Sequence, residues 1–291
     1  MSIADEALFH SCLALVMLAS GFGTAFILMM RPAPYGRYSE ARGWGPLVNA
    51  KLAWFLMESP NVFVTAALWL WGDKAATRSV ANRALVSLFL LHYVNRAFLY
   101  PLRMAPSRPM PLSVMLMAWT FCSLNSYLQA RSLSRLHVFP GHWLSHPTFI
   151  AGLGIFFLGF YINLDSDHIL RQLRDGMPRG TDKEAPNSRT RPMASHGASF
   201  PKPEDFQLAA RPYSIPRGGL FEYVSAANFL GEMVEWTGFA IACGGSLASV
   251  TFAAFTVLNL APRAWHHHLW YRQYFGNKYP PSRKALIPFV I

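Results

Sequence analysis

Asn228, Glu232 and Glu235 lie four and three residues apart in a mostly apolar stretch, so one helix carrying them presents all three on one face. Met233, Val234 and Trp236, then Thr237 to Ala242, surround them. A carboxylate at bilayer depth costs roughly 2.5–3.5 kcal/mol even on insertion scales. Two on one face therefore imply a polar ligand or a water-filled cavity that meets them.

Other polar clusters interrupt apolar runs in the same way. Glu58 stands in Ala53-Trp-Phe-Leu-Met-Glu-Ser-Pro60. His92-Tyr93-Val-Asn-Arg96 is followed one turn on by Tyr100. Asn163, Asp167, Arg171 and Arg174 follow one helix face, and Arg263, His266, His267, His268 and Tyr271 gather near the end of the chain. Asn, Asp and Glu acceptors suit ribose hydroxyls and a carboxamide. Arg171, Arg174, Arg217 and Arg263 suit phosphates, which guanidinium groups grip bidentately. A Glu–Tyr pair such as Glu58 and Tyr93 suits the polarising of a carbonyl oxygen. Together the clusters describe an intramembrane pocket, open to the basic side, for a nucleotide cofactor and a lipid-like ketone.

Each cluster also has a plainer reading. Asn163 and Asp167 would pair with arginines and pack the bundle. Asp167 and Arg171 would form a surface ion pair worth only ~0.3–0.5 kcal/mol. Glu58 would pair with Arg96, and Tyr93 and Tyr100 would be interfacial anchors. Consecutive histidines on a helix point about 100° apart, the wrong arrangement for one ion, so no metal is expected at His266–His268. Gly21-Phe-Gly-Thr lacks the third glycine of a dinucleotide turn and sits inside an apolar run.

The elements that position these residues are membrane helices. The chain has 291 residues, 52% hydrophobic and 14% charged, too apolar for an ordinary soluble domain. Spans are expected near 8–30, 52–71, 84–102, 112–128, 149–169, 221–243 and 247–260, the last continuing past Pro262 as a polar helix. The expected fold is all-α: a single domain, 1–291, forming an integral, multi-pass membrane bundle of about seven transmembrane helices. The first span has no basic flank and exceeds a signal-peptide core, so it is kept as a span. Segment 175–212, rich in Pro, Ser, Arg and Lys, reads as a disordered cytosolic loop. The stretch 279–291 is basic, then apolar, and either lies along the interface or folds back under the bundle.

A net charge of +11 invites a nucleic-acid reading, but the charges follow topology. Of the 26 Lys and Arg, all but Lys74, Arg78, Arg83, Arg131 and Arg135 fall in segments that are cytosolic if the N-terminus is outside. The bilayer, not nucleic acid, is the expected partner, with the C-terminus cytosolic and the protein a monomer. The membrane would be the endoplasmic reticulum in a eukaryote and the inner membrane in a bacterium. Cys12, Cys122 and Cys243 all fall in spans and form neither a disulfide framework nor a metal set.

These residues resemble the steroid 5-alpha-reductase family, the 3-oxo-5-alpha-steroid 4-dehydrogenases. The resemblance is carried by Ile215-Pro-Arg-Gly-Gly-Leu-Phe-Glu-Tyr-Val-Ser, Asn228-Phe-Leu-Gly-Glu232, Glu235-Trp236, Arg263-Ala-Trp-His-His-His and Tyr279-Pro-Pro-Ser-Arg-Lys-Ala-Leu-Ile-Pro-Phe. It extends to Ala33-Pro-Tyr-Gly36, the Glu58 and His92-Tyr93 segments, Asn125 and Tyr161-Ile-Asn-Leu-Asp-Ser-Asp-His-Ile-Leu-Arg-Gln-Leu-Arg174. The family implies a seven-helix membrane enzyme that uses NADPH to reduce the C4–C5 double bond of a 3-oxo-4-ene steroid. By resemblance, Glu58 and Tyr93 sit at the substrate carbonyl. Tyr35, Asn163, Asp167, Arg171, Arg174, Tyr213, Asn228, Glu232, Arg263, His267 and Tyr271 hold the cofactor. Met57, where animal members have Gln, is similar to the plant brassinosteroid-pathway reductases. Met117 and Ser214 replace arginines of the animal members, and 175–210 is longer than in either group. Enoyl-CoA and polyprenol reductases match the C-terminal motifs but not Met57-Glu-Ser-Pro60. Isoprenylcysteine-type methyltransferases share only the C-terminal cofactor region, and a transporter or receptor would bind no such cofactor.

Overall fold

The computed structural model describes residues 2–38, 44–175 and 213–291; the expected loop 175–212, apart from its first residue, lies outside them. The first helix, α1 (Ile3–Met30), opens on a capping box in which Ser2 and Asp5 satisfy each other's backbone N–H groups. The helices that follow are α2 (Ala50–Glu58), α3 (Pro60–Leu70), α4 (Lys74–Arg78), α5 (Val80–Val94), α6 (Tyr100–Arg103), α7 (Leu112–Arg131), α8 (Pro147–Asp175), α9 (Ala227–Ala242) and α10 (Leu247–Phe275). A two-residue clasp, β1 (Leu47–Val48) against β2 (Met110–Pro111), ties the turn before α2 to the turn before α7.

Among the described residues, four helical stretches are long and apolar enough to cross a membrane: Ile3–Met30, Val80–Arg103, Pro147–Arg174 and Leu247–Lys278. The last runs through Pro262 without a break, as expected. The other three expected spans are helical but fall short of that standard, for visible reasons. The stretch 52–71 is split between α2 and α3, because Pro60 has no N–H to give; the Ser59 hydroxyl donates to the Leu56 carbonyl at 3.2 Å instead. The helix α7 carries Asn125 and Gln129 inside its run. The helix α9 has only 16 residues and begins at Ala227 rather than 221, because Gly219–Glu222 forms a 3-10 turn entered through Gly218 at φ 90°.

The interior of the bundle holds polar side chains, while large apolar side chains of α1 face outward. Leu15, Phe22, Phe26 and Met29 of α1 are exposed, whereas Asn61, His92, Asn125, Gln129 and Glu235 are buried. Lipid tails offer apolar side chains no reason to turn inward, while polar groups must find partners within the bundle.

The tightest helix pair is α8 with α9. Gly152 and Gly159 lie against the backbones of Ala242 and Glu235, and Gly231 and Gly238 lie against those of Asn163 and Phe156; a Cβ at any of the four would collide with the facing chain. A polypeptide tail closes the basic end. Backbone bonds Ser225 N–H to Lys284 O and Lys284 N–H to Tyr223 O, both 2.8 Å, join the segment before α9 to the stretch after α10. Residues 279–291 thus fold back under the bundle.

Candidate active site

Two proline-linked irregularities aim the central side chains. The break before Pro60 places Glu58 at the end of α2. Between α5 and α6 the chain makes a π-turn, Asn95–Leu99, in which Tyr100 N–H reaches Asn95 O. Pro101 cannot donate to the carbonyl four residues back, and the widened turn absorbs the mismatch.

A cleft opens at the basic end, between the loop after α1 and helices α2, α6, α8, α9 and α10. Seven arginines line it (Arg37, Arg96, Arg103, Arg108, Arg171, Arg174 and Arg263) against a single carboxylate, Asp167. Rings of Tyr35, Tyr38, Trp54, Tyr100, Phe221, Phe229 and Tyr271 fill the spaces between them. Such a lining has the chemistry to hold a polyanion with flat groups.

Eight of the eleven expected cofactor residues line this cleft: Tyr35, Asp167, Arg171, Arg174, Asn228, Arg263, His267 and Tyr271. Arg263 donates to the Tyr35 hydroxyl and to Asn259 Oδ1, the latter at 2.9 Å, and lies over the Phe229 ring at 4.8 Å. Asn228 donates to Asp167 at 3.4 Å. Arg171 reaches His168 rather than Asp167, and Arg174 donates to Ser107 Oγ. Asn163, Glu232 and Tyr213 stand behind the lining. Asn163 donates to the Asn228 carbonyl at 3.0 Å and keeps its own buried Oδ1 without a protein partner. Glu232 pairs with Arg96 at 3.7 Å. Tyr213 packs edge-on against Trp270 and lies under Arg37. The three neighbouring histidines diverge: His266 bonds Leu28 O, His267 faces the cleft between Tyr38 and Phe229, and His268 bonds Ser225 Oγ.

Arg96 holds the centre of the site, a place the sequence reading offered it only as a partner for Glu58. It pairs instead with Asp167 at 3.1 Å and Glu232 at 3.7 Å, between the rings of Trp54 and Tyr100 at 4.8 Å each. Arg37 was also missed. It lies over Trp270 and Tyr271 at 4.4 and 4.8 Å, and its buried Nη1 has no hydrogen-bond partner. Only its place directly after Ala33-Pro-Tyr-Gly36 signalled it in the sequence. Burial against this cluster raises the pKa of the Tyr38 hydroxyl, keeping it neutral.

Deeper in the bundle lie Glu58 and Tyr93. No hydrogen bond joins them among the described residues; both are reached from α7. The Cys122 thiol donates to Glu58 Oε2 at 3.6 Å, and the Asn125 amide donates to the Tyr93 hydroxyl at 3.3 Å. Tyr93 is 4% exposed and stacks on Trp236 at 5.6 Å, so it is no interfacial anchor. Glu235 does not face the cleft. It is fully buried and pairs with His92 Nδ1 at 2.8 Å.

Comparison with known proteins agrees with this architecture. A family model described as 3-oxo-5-alpha-steroid 4-dehydrogenase matches residues 108–186 and 207–291. The rat 3-oxo-5-alpha-steroid 4-dehydrogenase 1 (Rattus norvegicus) is 40% identical over 260 residues, 89% of this chain and 86% of the relative. The bovine protein of the same name (Bos taurus) is 36% identical over the whole of both chains, and a steroid 5-alpha-reductase of Arabidopsis thaliana is 36% identical over 99% of this chain and 98% of its own. Matched by this family model and 36–40% identical to these relatives over most or all of its length, this chain belongs to the 3-oxo-5-alpha-steroid 4-dehydrogenase family of oxidoreductases.

Proposed function

We propose that this protein uses NADPH to reduce the C4–C5 double bond of 3-oxo-4-ene steroids, giving 5-alpha-3-oxosteroids. The observation that carries the reading is the cleft of seven arginines and aromatic rings, with a buried tyrosine and a half-buried glutamate deeper in the bundle. The donor set fits the cofactor. Guanidinium groups answer its phosphates, Asn228 and Asp167 answer hydroxyl or amide groups, and the free Asn163 Oδ1 and Arg37 Nη1 are an acceptor and a donor still unspent. Arg37, Arg171, Arg174 and Arg263 would hold the phosphates. Tyr35, His267 and Tyr271 would flank the flat groups, with Tyr213 behind Arg37 and Glu232 fixing Arg96.

Bound there, NADPH supplies the hydride for C5. The protein's task is the C3 oxygen, where negative charge collects as the enolate forms. Tyr93 would donate a hydrogen bond to it, and Glu58, which accepts from the Cys122 thiol, would orient or support that contact. A donor fixed before the reaction stabilises that charge more than it stabilises the ketone. Protonation at C4 completes the reduction. In this reading seven helices cross the bilayer, with the N-terminus outside and the cleft and C-terminus cytosolic. The membrane is the endoplasmic reticulum in a eukaryotic source and the inner membrane in a bacterial one. The cleft closes within one chain, so a monomer suffices.

The test feeds membranes carrying the protein with NADPH and a panel of 4-en-3-one steroids and identifies products by mass spectrometry. Saturated 5-alpha-3-ketones are expected. Tyr93→Phe should slow turnover by roughly 10²–10³, the usual loss of one such donor, with NADPH still bound. Turnover near that of the wild type would remove Tyr93 from the mechanism.

A further inference from the structure

Three residues of α7 stand on one face of that helix: Cys122, Asn125 and Gln129. All three are buried, at 4%, 0% and 2% exposure. A neutral amide buried in a membrane bundle needs partners, and the partners of these two form a directed chain. Gln129 Nε2 lies 2.9 Å from the Ala248 carbonyl and 3.2 Å from Asn125 Oδ1. Asn125 Nδ2 lies 3.3 Å from the Tyr93 hydroxyl and 3.4 Å from Asn61 Oδ1.

The direction of this chain is fixed at its far end. The carbonyl of Ala248 can only accept, so Gln129 must turn its NH₂ toward it, and that NH₂ also meets Asn125. Asn125 then presents its oxygen to Gln129 and its NH₂ to Tyr93. The Tyr93 oxygen therefore accepts, and its single proton is left over. No protein acceptor takes that proton among the described residues, and Met57, beside Glu58, packs among Ala53, Met110 and Met115 with no polar atom to offer. An amide donating to a phenol oxygen also polarises the phenol O–H, which strengthens the bond that proton makes next.

We propose that Asn125, held by Gln129, is a positioning residue that keeps the Tyr93 proton aimed at the substrate carbonyl. The proposal rests on the reading of Tyr93 as the carbonyl donor. It assigns Asn125 no contact with the reacting atoms: its influence passes through the Tyr93 hydroxyl alone. Gln129 acts one step further back, by denying the Asn125 amide its other orientation.

A double-mutant cycle separates this from a packing role. Turnover and NADPH affinity would be measured on the purified full chain for Tyr93→Phe, Asn125→Leu and the double variant. Asn125→Leu should lower kcat about ten- to a hundredfold, part of the 10²–10³ forfeited when a donor is absent altogether, with NADPH affinity unchanged. The double variant should be no slower than Tyr93→Phe alone, because a residue that works through the hydroxyl has nothing to act on once the hydroxyl is gone. Losses that multiply in the double variant would overturn the proposal and mark Asn125 as structural. Normal turnover in Asn125→Leu beside a crippled Tyr93→Phe would overturn the proposal and leave the Tyr93 mechanism standing. Normal turnover in Tyr93→Phe would sink both. If Asn125→Leu fails to fold, Gln129→Met, which leaves the Asn125 amide in place but unpinned, enters the same cycle. It should slow turnover in the wild-type background only, and an equal effect in the Tyr93→Phe background would overturn the relay.

Discussion

Arg96 shows what a single side chain does here. Its guanidinium answers Asp167 from α8 and Glu232 from α9 while lying between two aromatic faces. All three charged side chains are largely buried, at 11%, 13% and 18% exposure. Removing one partner of such a group leaves charge uncompensated and typically costs about 3–5 kcal/mol. Arg96→Met should therefore lower the thermal midpoint of the detergent-solubilised protein markedly. Arg96→Lys should recover only part of that loss, because lysine keeps the charge but lacks the planar fork that fits between Trp54 and Tyr100. Equal stability of wild type and Arg96→Met would show that the pair contributes nothing to the fold.

Charge made the cleft residues legible. Asp167 and Glu232 stand out because a carboxylate in an apolar run needs an explanation, and Asn228 was found by sharing a helix face with Glu232. Asn125 entered only through the family resemblance and Gln129 gave no signal, since a neutral amide in a span raises less alarm. The spacing of Cys122, Asn125 and Gln129 on one face of α7 was the clue available. Arg37 looked like one more cytosolic charge. Glu58 and Tyr93 come from different helices, and only the tertiary structure shows that one face of α7 reaches both.

At the scale of elements, the glycine face of α8 and α9 sets the spacing of the residues proposed to hold the cofactor. Asn163 and Asp167 ride on one helix and Asn228 and Glu232 on the other, and the two backbones meet at Gly159 and Gly231. Gly159→Leu would force α8 from α9 at the level of Glu235. It should weaken cofactor binding and lower expression together, read by NADPH titration and by the yield of folded protein. Normal binding would mean that the helices can part without disturbing the cleft. Four of the seven expected spans could be read from hydropathy as helices long enough to cross a membrane, whereas 52–71 was expected as one span although Pro60 sits inside it. The late start of α9 was harder to see, because Leu220-Phe-Glu-Tyr-Val continues the apolar pattern upstream. The π-turn at Asn95–Leu99 was invisible, since a sequence pattern shows that Pro101 disturbs a helix but not how the backbone accommodates it.

Across the whole molecule, the closure at the basic end depends on an outlying carboxylate. Glu222 accepts the Gly218 N–H at 2.7 Å and faces Arg217 and Arg283 at 3.5 Å each. Arg283, almost wholly buried, donates in turn to the Pro216 carbonyl at 3.0 Å. The Gly218 bond, with help from Arg283 and Arg217, holds the Glu222 carboxyl below its ordinary pKa. A group whose pKa is depressed on folding stabilises the fold above its unfolded value, and the contribution fades as pH falls through the folded one. Acidification below the ordinary carboxylate range should therefore loosen the junction of 213–226 with 279–286. Limited proteolysis across a pH series would show cleavage there rising at the acid end. Glu222→Gln should raise cleavage at neutral pH and flatten the dependence. The same pH dependence in both proteins would place the acid-sensitive contact elsewhere.

The close backbones of α8 and α9 also decide which part of the protein moves. Two helices in contact through four glycines cannot slide or part without breaking backbone contact along their length, so they behave as a fixed jaw. A nucleotide bound in the cleft, as proposed, would have to enter past something that yields. That role falls to residues 32–38 on the opposite wall, since Arg96 pins the π-turn to α8 and α9. Amide exchange in the unliganded protein should be fast in 32–38 and slow throughout α8 and α9, with added NADPH slowing only the first. Capture and release would then be governed by the loop after α1 rather than by the paired helices.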